Sequence, residues 1–240
     1  MKIMPTLLSV FLFFIFACQD DDAMLMTPAN PDPMPTDSVV AEITYLALGD
    51  SYTIGTSVAA EDRWPVQLSA ALAQRGIRVT DQRIVATNGW TTRNLLNGIA
   101  SADLAPTYDL VSLLIGVNNQ FQGRSLSEYR TEFTELLDIA IQRAGGDTSG
   151  VFVVSIPDYA FTPFGNGRED ISNGVANFNA AAKAITESYG IPFYNITPIS
   201  QEGLANPSLV ATDNLHPSGE QYTRWVEEVL LAPVAAGILD

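Results

Sequence analysis

The chain has 240 residues, enough, once a removable start is set aside, for one domain of about 200 residues with a full hydrophobic core. Its 47% hydrophobic and 16% charged residues exclude a disordered or collagenous polymer. Twelve basic against 27 acidic side chains leave a net charge of -15, a field that repels phosphate backbones, so nucleic-acid binding is excluded and an acidic, soluble surface is the plainer meaning.

Residues 1–18 read as a signal segment. Lys2 precedes an uncharged apolar stretch from Leu7 to Phe16, the charged and apolar regions of an export signal. A spanning helix needs about 20 apolar residues, and this run meets Asp20, Asp21 and Asp22 too soon. Cys18 is the only cysteine, so no intrachain disulfide can form. The stretch Ile15-Phe16-Ala17-Cys18 resembles a bacterial lipobox, which implies lipidation of Cys18 and a membrane anchor. The acidic run behind it resembles that of cell-surface lipoproteins. Residues 19–40, acidic and then Pro-rich, predict an extended spacer. The expected product is an outer-membrane or cell-surface lipoprotein, with ordinary cleavage to a soluble periplasmic or secreted protein as the alternative.

Residues 41–240 form the expected domain. Short apolar runs alternate with helical patterns: 43–48, then a helix within 61–76, 79–86, and a Thr-capped helix after Trp90. The rhythm continues with 109–116, a long helix from Ser125 to Ala144, 151–156, a helix from Ile171 to Tyr189, 192–196, and a last helix after Pro217. Runs such as Leu110–Ile115 and Val151–Ile156 are apolar throughout, as strands covered on both faces require. The prediction is a three-layer α/β/α fold with a five-stranded parallel sheet in flavodoxin-like order, its functional groups in loops at the strands' carboxyl ends. No phosphate-binding glycine loop and no paired Cys or His at metal spacing is present, so neither a cofactor nor a metal is implied.

His216 is the only histidine, so any His-assisted nucleophilic catalysis within one subunit falls to it. It precedes a helix start where Ser218 and Gln221 fit a capping box. Asp213, three residues earlier, is spaced to meet the imidazole Nδ1 and leave Nε2 facing outward. Asp-x-x-His alone is more often a surface pair. Ser51 follows the first strand two residues after Gly49; alone it fits a helix cap or turn equally well. A serine hydroxyl needs a base to become a nucleophile, and His216 is the available one. The sequence Gly49-Asp50-Ser51-Tyr52-Thr53 departs from the G-x-S-x-G elbow of α/β-hydrolases.

Ser51, Gly89 in Asn88-Gly89-Trp90, Asn118 in Gly116-Val117-Asn118-Asn119, and Asp213 with His216 occur in this order. The set resembles the four blocks of the GDSL, or SGNH, hydrolases from about Ile43 to Val229. That resemblance implies a serine esterase with Ser51, Asp213 and His216 as its catalytic triad. It also implies an oxyanion hole built from the backbone N–H groups of Ser51 and Gly89 and the Asn118 amide. Glycine at 89 is expected to let the reacting carbonyl approach without a side chain in the way. Tyr52 replaces the leucine of the family's name, and Asn119 the aspartate that commonly follows the block-three asparagine. Trp90, Tyr159, Phe161 and Phe164 follow strands and are candidates to line an acyl or sugar pocket, although packing is the commoner use of such residues.

The favoured substrates are small-molecule or carbohydrate esters with a small acyl group such as acetyl. Lysophospholipase, lipase or thioesterase activity, and a catalytically silent glycan-binding module, stand as alternatives.

Overall fold

The computed structural model describes residues 39–239; the signal segment, Cys18 and nearly all of the spacer lie outside the described residues. Five strands, β1 (Ala41–Gly49), β2 (Ile77–Ala86), β3 (Leu110–Leu114), β4 (Val151–Val154) and β5 (Phe193–Tyr194), pair in the order β2-β1-β3-β4-β5. Every pairing is parallel, which is the flavodoxin-like order. Parallel strands need long crossovers, and the helices provide them. They are α1 (Ser51–Ile54), α2 (Trp64–Ala73), α3 (Thr92–Ser101), α4 (Val117–Phe121), α5 (Leu126–Arg143), α6 (Glu169–Ser188), α7 (Thr197–Ser200), α8 (Gly219–Arg224) and α9 (Leu231–Leu239). Helices α3, α5 and α6 pack in series, while α2 packs against α8 and α9, so the sheet is covered on both sides.

All five residues of β3 are buried. The polar member of that run, Ser112, is satisfied by the Tyr45 hydroxyl of β1 at 2.8 Å, which removes the cost of an unpaired polar group in a strand closed to water. A π-helical stretch, Trp225–Leu230, connects α8 to α9 and buries Trp225, Val226 and Leu230. At the start of α8 the expected capping box closes on one side only. Ser218 accepts from the Gln221 N–H at 3.2 Å, but the Gln221 side chain reaches the Leu209 carbonyl at 2.9 Å instead of the cap backbone. Among the described residues no helix is long and apolar enough to cross a membrane.

The carboxyl ends of β2, β1 and β3 lie side by side, and each feeds one of the motif loops: Asn88-Gly89, Asp50-Ser51 and Gly116–Asn119. The chain reverses its direction of strand addition between β1 and β3, where open α/β sheets form their binding crevice.

Candidate active site

The turn from β1 into α1 is built by two residues. A Cβ on Gly49 would collide with the Thr53 side chain and lie 2.7 Å from the Leu114 carbonyl oxygen, so only glycine lets the strand end this close to β3. Asp50, not Ser51, caps α1: its Oδ1 accepts from the Tyr52 N–H at 3.0 Å. Ser51 is therefore the first helical residue, its hydroxyl unused by the cap and its backbone N–H among the donors a helix start leaves free. Asp50 is fully buried and its Oδ2 meets no hydrogen-bond partner. Burial pushes its carboxyl up to about 7, while the Tyr52 N–H and the nearby Asn118 amide pull the other way.

His216 comes to the same place on a pinched loop. Ala211 N–H donates to the His216 carbonyl at 2.8 Å, Ser218 N–H to the Leu209 carbonyl at 2.9 Å, and Val210 and Pro217 form an antiparallel bridge. Within the pinch Asn214 turns at φ +66°, and Asp213 folds back under the histidine. Its Oδ1 accepts from the Leu215 and His216 N–H groups, both at 2.9 Å. Its Oδ2 lies 2.6 Å from His216 Nδ1. The carboxylate thus favours the tautomer with hydrogen on Nδ1 and leaves Nε2 as an acceptor. Ser57, which the sequence reading passed over, donates its hydroxyl to the same Oδ2 at 2.6 Å. Partial burial works to raise the Asp213 carboxyl, but the donors from Ser57, His216 and Leu215 together hold it below the usual carboxylate range. The ring of Tyr52, at 5.3 Å between centroids and tilted by 54°, packs beside the imidazole; this is what stands in the place of the family's leucine.

Ser51, Asn118 and His216 line one pocket of about 200 Å³. Its remaining wall is largely apolar: Val117, Phe121, Tyr159, Phe164 and Leu215. Among the described residues no hydrogen bond joins the Ser51 hydroxyl to His216; in substrate-free sites such bonds are often long and tighten when substrate arrives. Asn118 donates one amide hydrogen to the Trp90 carbonyl at 3.0 Å, and its amide also lies close enough to the buried Asp50 carboxyl to act on it. Gly89 sits beside the pocket residue Asn88 at φ +80°. A Cβ there would meet nothing within 4 Å, so in the substrate-free protein glycine is required by backbone conformation and not by crowding.

Two of the aromatic candidates lie elsewhere. The Trp90 indole packs on α3 where Gly98 leaves room, and lines a groove with Gln82 and Arg83 of β2. Phe161 is packed against the core. Tyr159 does reach the pocket, its hydroxyl 2.7 Å from Gln120 Oε1. Phe164 reaches it too, joined by Phe121, which the sequence reading missed; those two rings are 50% and 58% exposed with centroids 6.1 Å apart. Position 119 carries a buried network in place of the expected acid. Asn119 Oδ1 accepts from the Thr92 N–H at 3.0 Å, and its Nδ2 donates to Thr92 Oγ1 at 2.7 Å. Among the described residues no three His, Cys, Asp or Glu side chains are grouped as metal ligands.

Residues 47–224 match the profile of the GDSL-like lipase/acylhydrolase family. Similar solved structures include a lipase/acylhydrolase from Enterococcus faecalis, 18% identical over 82% of this chain and 95% of that one, TM-score 0.59. An acetylxylan esterase from Geobacillus stearothermophilus is 21% identical over 82% and 94%, TM-score 0.59. A psychrotrophic esterase from a Pseudoalteromonas species is 16% identical over 77% and 93%, TM-score 0.57. At these identities the likeness is one of fold. No curated protein matches the chain.

Proposed function

The chain belongs to the GDSL-like lipase/acylhydrolase family and is a carboxylic ester hydrolase, and we propose that it cleaves small acyl esters through an acyl-serine intermediate on Ser51. The observation that carries the mechanism is the orientation of His216. With Nδ1 held by Asp213, Nε2 is the imidazole's free acceptor, in a pocket shared with the Ser51 hydroxyl. Ser51 Oγ attacks the ester carbonyl carbon as His216 takes the hydroxyl proton. The tetrahedral oxyanion is met by the N–H groups of Ser51 and Gly89 and by the Asn118 amide. Collapse expels the alcohol, which leaves with the proton held on His216. Water, deprotonated by His216, then releases the acid and restores Ser51.

The apolar lining and the volume of about 200 Å³ support a small acyl group, and the fold shared with an acetylxylan esterase adds acetylated carbohydrate as a candidate class. A lipid or lysophospholipid substrate is favoured by one specific feature, the exposed Phe121–Phe164 pair at the rim, which offers apolar surface to a longer chain. Independently of the substrate, the signal-like start and the lipobox-like stretch before Cys18 support export and tethering through a lipid on Cys18, with residues 19–40 as the spacer. Release of p-nitrophenol from acetate, butyrate, octanoate and palmitate esters by the full chain, beside its Ser51→Ala variant, tests the proposal. Serine-dependent turnover that falls with chain length supports small acyl esters. A rate that climbs with chain length transfers the assignment to lipids, and turnover that survives Ser51→Ala overturns the mechanism.

A further inference from the structure

Asn118 and Gly89, the two oxyanion donors outside the nucleophile's own turn, sit on separate segments, the start of α4 and the loop ahead of α3. Four hydrogen bonds fasten these segments together. Asn118 Nδ2 donates to the Trp90 carbonyl at 3.0 Å, Gln122 Nε2 to the Gly89 carbonyl at 3.4 Å, and Asn119 bonds Thr92 twice, through its backbone and its hydroxyl. The last pair is buried on both sides, and its direction is fixed from outside the site. A hydroxyl has one hydrogen to give. Thr92 Oγ1 gives its own to Glu132 Oε2 of α5, so it can only accept from Asn119. The amide of Asn119 is thereby forced to present Nδ2 to the hydroxyl and Oδ1 to the Thr92 N–H. Glu132 is 4% exposed, and its other oxygen is held by Arg93, with Nε at 2.9 Å.

We propose that Glu132 is a positioning residue for the oxyanion donors, acting through Thr92 and Asn119, and that it is the reason position 119 carries asparagine in this chain. Aspartate at 119 has no hydrogen to offer. With Glu132 opposite, the Thr92 hydroxyl faces two acceptors and satisfies one. The loop and α4 then separate, and donors that act only within about 2.7–3.1 Å of the developing oxyanion lose their aim. Glutamine at 132 reverses the chain of bonds: its Nε2 donates to Thr92 Oγ1, whose hydrogen turns toward residue 119. That arrangement suits aspartate there and opposes asparagine.

The inference rests on the esterase reading, and four proteins separate the two: the full-length wild type and its Asn119→Asp, Glu132→Gln and double variants, assayed on p-nitrophenyl acetate with Ser51→Ala as blank. Each single variant is expected to lower kcat about 10- to 100-fold with KM within about twofold, because the donors grip the transition state more than the bound ester. The double variant is expected to return kcat to within a few-fold of wild type. A merely structural network predicts lower melting temperatures with kcat intact, or losses that add in the double variant; either result overturns the inference. Should Asn119→Asp fail to fold, Glu132→Gln and the double variant decide: full kcat in the first, or an unfolded second, overturns it. A wild type no faster than Ser51→Ala instead overturns the esterase reading itself.

Discussion

Ser57 holds a backbone conformation, φ +69°, that residues with a Cβ adopt at a cost, and it spends its hydroxyl on the oxygen of Asp213 that faces His216. If Asp213 orients His216 as proposed, a hydrogen bond that ties this strained turn to it predicts a positioning role for Ser57. Ser57→Gly removes the hydroxyl but suits the backbone; Ser57→Ala removes the hydroxyl and keeps the strain. Both should lose about 3- to 30-fold in kcat with little change in KM, since a hydrogen bond to a charged group is worth about 1.5–3 kcal/mol and Ser57 is exposed enough for water to replace part of it. Full kcat in the glycine variant, with a loss in alanine, would assign Ser57 to the turn alone. At this scale the sequence disclosed residues whose chemistry had no competitor. The one histidine of the chain, with an aspartate three residues before it, singled out His216 and Asp213, while Ser51 was picked out by its place after the first strand and by the resemblance of the four blocks. Ser57 was hidden because its contact spans 156 positions and no local pattern distinguishes it from other loop serines. Trp90 was misplaced because an aromatic residue after a strand gives no sign of which way its ring turns; the relevant sign, Gly98, lies eight residues on in the next helix.

The elements were legible wherever local chemistry and burial agree. The apolar runs became β1, β3 and β4, and the Thr-capped helix after Trp90 begins at Thr92 with Thr91 as its cap. Thr91 Oγ1 accepts from the Asn94 N–H, and Asn94 Oδ1 accepts in return from the Thr91 N–H at 3.1 Å, a reciprocal box with asparagine in the place usually held by glutamate or glutamine. Thr91→Ala should therefore cost about 1 kcal/mol, read as a lower urea midpoint with unchanged slope. An unchanged midpoint would mean that packing of Leu95, Leu96 and Ile99, all buried, holds the helix start unaided. The π-helical stretch 225–230 had no counterpart in the sequence reading, because it changes hydrogen-bond register without changing which residues are apolar. The half-closed cap at Ser218 was overstated for a related reason: Gln221 is the right residue type, but the Leu209 carbonyl, twelve positions away, competes for its amide and wins.

On the scale of the whole molecule, two carboxyls of the site bend the stability curve in opposite directions. Asp213 binds its proton more weakly folded than unfolded. Its contribution is present above the unfolded value, near 3.8, and is lost as pH falls through its lower folded value. Asp50 does the reverse. Its folded value is about 7 against an ordinary 3.8, so the native state holds a proton the unfolded chain releases. Its contribution is whole below 3.8 and is lost as pH rises through about 7. Above that, the fold carries an ionised carboxylate with an unpartnered oxygen, a penalty of up to about 4 kcal/mol. Asp50→Asn abolishes the titration while its amide oxygen still accepts from the Tyr52 N–H, so the cap of α1 survives. The variant should melt with wild type near pH 4 and lead it by at least ~3 °C at pH 8, the lead opening between those values. Acidic self-repulsion in a chain of charge -15 also grows over this range, but it weakens with salt. A buried carboxyl is screened far less, so the lead should persist in 0.5 M NaCl. A gap between the two proteins that stays constant from pH 4 to 8 would mean that Asp50 is ionised throughout, and that the turn beneath Ser51 tolerates a charge its burial argues against.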